Sequence, residues 1–115
     1  TVKNGNYSTK VKGYQSSGYI ETKSNPTTIE FYQENDGPDM QTELIYRFVP
    51  TKECKVSVNV SNNGKTTSDE FEVKGDEVGK WNERTVKTYL NRGANNISVV
   101  INTTSKLGLD GFSFK

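Results

Sequence analysis

The sequence predicts an all-β fold of the sandwich or barrel kind, and three observations predict it. Apolar and polar residues alternate with period two in run after run. Turn-forming residues punctuate the runs every eight to twelve positions or so, the spacing expected of short antiparallel strands. No window of a dozen residues carries a 3.6-residue apolar period, and Thr, Ser, Asn and Gly outnumber the helix formers Leu, Ala and Met.

The runs follow in order. Ile29 and Phe31 alternate with Thr28 and Glu30. Leu44, Tyr46 and Phe48 share one face, opposite Ile45, Arg47 and Val49. Val56, Val58 and Val60 alternate with Ser57, Asn59 and Ser61, and Phe71 and Val73 frame Glu72. Val86, Thr88 and Leu90 alternate with Lys87 and Tyr89. Ile97, Val99 and Ile101 lie opposite Ser98, Val100 and Asn102. Between them stand Ser24-Asn25-Pro26, the acidic stretch from Glu34 to Asp39, Asn62-Asn63-Gly64-Lys65 and Asn91-Arg92-Gly93-Ala94. Asn63-Gly64 is a hairpin signal, because that pair accepts the positive φ angles of a tight turn. About eight or nine strands are expected on this reading.

The 115 residues suit one domain, residues 1–115, with one core. Fifteen Lys and Arg stand against 14 Asp and Glu, a net charge of +1, which speaks against nucleic acid and gives no reason to expect an anionic membrane. No apolar run approaches the ~18 residues of a membrane-spanning helix. There is no histidine, so the usual general base and the commonest metal ligand are both missing. Cys54 is the only cysteine, which rules out a disulfide within the chain and leaves it a small apolar side chain at a strand start.

Three segments carry a family signature. Gly13-Tyr14-Gln15-Ser16-Ser17-Gly18-Tyr19-Ile20 resembles the "GYSGxGYV" segment of carbohydrate-binding module families 6 and 35. Trp81, Val86 and Leu90-Asn91-Arg92-Gly93-Ala94-Asn95-Asn96-Ile97 resemble "W…v…LnaGtNtI". Gly108-Leu109-Asp110-Gly111-Phe112-Ser113-Phe114 resembles the closing "NIDYIEV" strand. Their order and spacing match over nearly the whole chain, and family 35 is the nearer of the two. The resemblance implies a jelly roll, a two-sheet antiparallel β-sandwich with its sugar site in loops at one end. It also implies a structural calcium, and a secreted, monomeric module tethered to an enzyme that degrades plant cell-wall polysaccharide: β-mannan, xylan or pectic, uronic-acid sugars. Two departures stand out. The family opens with an Ala-Glu pair whose Glu helps hold calcium. This chain begins at Thr1, where that motif would have ended, so the domain is either trimmed there or has replaced that ligand. The closing motif has Asn two residues before the Asp, a side chain that often binds sugar, and here that position is Gly108.

A sugar ring offers flat C–H faces and a rim of hydroxyls, so its site needs exposed aromatic planes and a few fixed hydrogen-bond partners. Tyr14, in a Gly/Ser-flanked turn that would not easily bury a ring, is the first candidate. Tyr19 starts a strand and serves equally well as core or sheet surface. Trp81, the only tryptophan, is either a core anchor at a strand start or a site residue, as the resemblance implies. Gln15 and Asn82 are candidate amide contacts, with plain solvation as the alternative. Asp110 is the candidate calcium ligand: a carboxylate in an apolar closing strand needs either a hard cation or a salt bridge to Lys or Arg. The acidic stretch Glu34–Asp39 lacks calcium-loop spacing and reads as a solvated turn. No pair of carboxylates is positioned by a motif, so glycosidase activity has no support. The remaining competitor to glycan binding is a structural or adhesion sandwich with no glycan ligand.

Overall fold

The computed structural model describes every residue except Ser16. Ten strands form two sheets: β1 (Val2–Lys3), β2 (Gly5–Ser8), β3 (Tyr19–Thr22), β4 (Thr27–Asn35), β5 (Met40–Pro50), β6 (Cys54–Asn62), β7 (Lys65–Val73), β8 (Asn82–Leu90), β9 (Gly93–Thr103) and β10 (Leu107–Phe114). The only helical turn among the described residues is a three-residue 3-10 turn, Gly75–Glu77. One sheet, A, has the order β1-β4-β9-β6-β7. The other, B, has the order β2-β3-β10-β5-β8. All strand pairs are antiparallel. The sandwich expected from the alternation is therefore present. The strand count exceeds the expectation because the N-terminal strands, two and four residues long, are too short to show a period.

The alternation sets which side chains face inward. On β5, Leu44, Tyr46 and Phe48 enter the core. On β6, Val56, Val58 and Val60 do, on β9 Ile97, Val99 and Ile101, and on β10 Leu107 and Leu109. Each buried side chain of this size contributes roughly 1.5–3 kcal/mol by leaving water. Cys54 joins this core as a small apolar residue. The Asn63-Gly64 hairpin forms as expected: Asn62 pairs with Lys65, and the two turn residues have φ of 50° and 80°. The turn before β9 carries the chain from sheet B to sheet A. It is held by Asn95, wholly buried, whose amide donates to the Asn91 and Gly93 carbonyls while its oxygen accepts from the Asn91 amide and the Asn62 side chain.

A polar clasp joins the edge strands β7 and β8, which belong to different sheets. Arg84 donates two bonds to the Asp69 carboxylate, at 2.7 and 2.9 Å, and the Tyr46 hydroxyl donates a third at 2.8 Å. The guanidinium also lies 4.1 Å from the centre of the Phe71 ring. Burial, and then the Asp69 carboxylate, push the Tyr46 hydroxyl far above its ordinary pKa, so it keeps the proton it donates to Asp69. Burial pushes the Asp69 carboxyl up, but the bonds from Arg84 and Tyr46 and the Arg84 charge outweigh it, and the group ends below its ordinary 3.8. A carboxyl depressed in the folded state stabilises fully above its unfolded pKa, and that stabilisation disappears as pH falls through the folded value. Asp69→Asn should therefore lower the melting temperature at neutral pH. The gap from the parent should close below about pH 4. Thermal melts of both proteins between pH 7 and pH 2 check this, and a gap that stays constant with pH would refute the assignment.

Candidate functional site

The candidate residues gather on the outer face of sheet B. Leu107 and Leu109 face the core, so Gly108 between them faces outward, as do Val49 and Arg47 on β5. Tyr19 and Val49 are nonetheless only 2% exposed and lie outside the main core cluster. They belong to a second, smaller apolar layer, covered by the chain between β2 and β3 and by Trp81 at the entry to β8.

Gly108 shows how tightly this layer closes. A Cβ there would come within 2.6 Å of the Tyr19 ring and 2.7 Å of Val49. Only glycine lets Tyr19 lie across β10, so the missing Asn of the family motif is coupled to a ring occupying its place. The Tyr19 hydroxyl accepts from the Ser8 hydroxyl and the Val11 amide, each at 3.2 Å, which ties the incoming loop to β3. Its ring meets Trp81 edge to face at 5.2 Å and Tyr14 at 6.0 Å, spacings at which aromatic pairs attract.

Trp81 anchors the layer. Its Nε1 donates to the Lys12 carbonyl at 3.0 Å, and the Arg47 guanidinium lies 4.9 Å from its ring centre. The backbone of Gly13 rests against the ring, where a Cβ would come within 2.6 Å of Cδ1, and Gly13 has φ +111°. This glycine is needed twice over, for its conformation and for its closeness to the indole. Tyr14 is left half-buried at the surface of the layer, with the Lys12 ammonium 5.8 Å from its ring. The exposed Gln15 follows it, and its backbone amide donates to Asp110.

The structure brings Tyr14, Gln15, Tyr19 and Trp81 into one group and adds Asp110 to it, a residue the sequence pointed to only as a separate calcium ligand. Asn82 does not contribute an amide to this group. Its side chain donates to the carbonyls of Glu77 and Lys80, fixing the turn that leads into β8. Arg47 was missed. It appears in the sequence only as the polar member of an alternating strand, and nothing local marks it as the hub of the layer. Its Nη2 donates to the Gly13 carbonyl at 2.9 Å and its Nη1 lies 3.6 Å from Asp110 Oδ2.

This arrangement bears on the calcium expected at Asp110. A calcium site gathers six to eight oxygen ligands around the ion. Here the carboxylate faces a guanidinium and a backbone amide, both donors, and no cluster of three or more Asp, Glu, His or Cys occurs among the described residues. The donor set does not fit a calcium ion, because a divalent cation at Asp110 would sit against the positive charge of Arg47. Of the two readings of Asp110, the salt bridge describes the structure.

The fold is that of known carbohydrate-binding modules. No protein-family model matches the sequence, and no curated protein is similar to it. Among solved structures, the chain is similar to a family 35 carbohydrate-binding module (CBM35) from Paenibacillus barcinonensis. The two share 19% identity, 100% of this chain and 91% of that one are covered, and the TM-score is 0.81. It is also similar to part of a β-(1,4)-mannanase from Podospora anserina that combines a GH26 and a CBM35 domain, at 22% identity, 98% and 26% coverage and TM-score 0.70. A third match is a Listeria monocytogenes protein in complex with glucose, magnesium and calcium, at 18% identity, 100% and 11% coverage and TM-score 0.78. These likenesses show a CBM35-like β-sandwich, and two of them lie within much longer chains.

The packing makes Gly13 the position to test. Gly13→Ala should displace the indole and add left-handed backbone strain of about 1–3 kcal/mol. Gly79→Ala, at φ +76° with open space around its Cβ, is the control that carries strain alone. Gly13→Ala should therefore melt below Gly79→Ala and shift Trp81 fluorescence to the red, which Gly79→Ala should not. Matching melts with unchanged emission would show that the loop does not pack on Trp81.

Proposed function

We propose that this chain is a non-catalytic module that binds polysaccharide, with Tyr14 as the ring on which a sugar stacks. The observation that carries the reading is the fixed presentation of Tyr14. The ring is half-buried against Tyr19, and the loop bearing it is bound to the strands through Trp81, Arg47 and Asp110. A ring held this way offers a plane to a pyranose face without an ordering cost on binding. Gln15, exposed beside it, can meet the hydroxyl rim, and the half-buried Trp81 lies next to the same loop. The CBM35-like fold, and its occurrence within a mannanase, support the same reading.

The site favours binding over hydrolysis. A glycosidase needs two carboxyl groups flanking the scissile bond, one of them a proton donor. Asp110 is the carboxylate this cluster contains, and it is taken up by Arg47 and the Gln15 amide. The natural ligand on this reading is a plant cell-wall glycan such as β-mannan, xylan or a pectic chain. The module would be secreted as part of a larger glycan-degrading enzyme, which it would hold at its substrate. A single stacked ring, burying about 100 Å², contributes roughly 2.5 kcal/mol. Two such stacks together with several hydrogen bonds reach the micromolar-to-millimolar range, ~4 to 8 kcal/mol.

Affinity gel electrophoresis on soluble mannan, xylan and pectin tests the proposal. The parent should be retarded by at least one of them. Tyr14→Ala should weaken that binding by ~1.5–3 kcal/mol, about 10- to 150-fold, with little change in melting temperature. Retardation by none of these glycans would instead favour a structural or adhesion module. Unchanged binding by folded Tyr14→Ala would move the site away from this loop.

A further inference from the structure

We infer that the Arg47 guanidinium takes the place of the structural calcium that the family resemblance implies, so that an internal cation, carried by β5, fixes the loop against the closing strand. The ion's task at such a place would be to draw backbone carbonyls and a carboxylate to one point. Arg47 performs both parts. Nη2 binds the Gly13 carbonyl at 2.9 Å, and Nη1 faces Asp110 Oδ2 at 3.6 Å. Asp110 in turn accepts the Gln15 amide, so the residues on either side of Tyr14 are both held through this pair. The pair lies in a sheltered place: the Arg47 and Asp110 side chains are 21% and 11% exposed, and the indole of Trp81 covers the guanidinium. In such surroundings charge attraction is screened less than at an open surface.

The substitution of a side chain for an ion has a physical consequence. A bound ion stabilises only in proportion to its concentration, by mass action on the folded state. A guanidinium on a core strand is present whenever the strand is, and it stays charged at every physiological pH. Its planar fork also suits two acceptors at once, which a single ammonium would serve less well. The loop carrying Tyr14 is therefore set by folding alone. Arg47 is a positioning residue that acts on the sugar-stacking ring through Gly13 and Gln15.

The test compares metal dependence with the effect of Arg47. Parent protein stripped with a chelator and parent protein in excess calcium should melt within about 1 °C of each other. Arg47→Met, which keeps the stem and removes the charge, should melt about 4 °C or more lower and red-shift Trp81 emission. Arg47→Lys should fall between the two, because an ammonium keeps the charge but loses the fork. Asp110→Asn combined with Arg47→Met should lower the melting point by less than the sum of the single changes, as expected for a contacting pair. Should Arg47→Met fail to fold, Arg47→Lys and the chelator comparison still decide. The inference is overturned if chelator lowers the parent's melting temperature and calcium restores it. It is equally overturned if Arg47→Met or Arg47→Lys matches the parent in both melting and emission, or if the double variant is strictly additive.

Discussion

Sheet B is built around the last strand of the chain. β10 pairs with β3 on one side and β5 on the other, so the halves of the sheet meet only through it. Without β10, the pair β2–β3 and the pair β5–β8 are separate hairpin-like fragments, each too small to be stable in water. The outer apolar layer depends on the same strand, because Gly108 is the floor beneath Tyr19 and Asp110 is the partner of both Arg47 and the Gln15 amide. Closing sheet B and fixing the candidate sugar site are thus a single event, and neither half of the chain supplies it alone.

Two kinds of packing meet in this fold. The main core is an ordinary inter-sheet layer in which aliphatic side chains from both sheets interdigitate. At its open side, where β7 and β8 lie on different sheets, the apolar layer ends in the Tyr46–Asp69–Arg84 clasp, with every charged group partnered. Outside sheet B the packing is different in character. Aromatic rings, glycine backbone and one ion pair fill a thin layer beneath a loop. Such a layer ties Lys12, Gly13 and Gln15 of the loop to Trp81, Arg47 and Asp110, the kind of support a shallow binding site would need.

Glycine accounts for much of this layer. At Gly13 and Gly108, a single added carbon would drive into the indole or the tyrosine ring. The aromatic residues therefore approach backbone as well as one another, which lets two large rings and a guanidinium share a small area. Gly108 belongs to the same design: the space a side chain would need there is taken by Tyr19 and Val49.

The inner faces of β5, β6 and β9 were legible in the sequence because a strand's side chains alternate strictly, and a buried face writes that alternation into the chain. The Asn63-Gly64 hairpin was legible because only a few residue pairs tolerate its backbone. That the segments carrying Tyr14 and Trp81 come together was an expectation of the family resemblance; that Asp110 joins them was not. The role of Arg47 was not legible, since an outward Arg on a half-buried strand looks like any solvated residue. It acquires a role only when a loop more than 30 positions earlier folds over it and β10 brings Asp110 alongside. The same holds for Asp110, whose burial demands a cation but whose sequence neighbours do not say which one. Asn82, next to the indole in sequence, is turned toward the preceding turn instead of the loop. Local patterns determine which face of a strand is apolar. Which charge neutralises which, and which ring is left facing water, is decided by segments that become neighbours only after both sheets have formed.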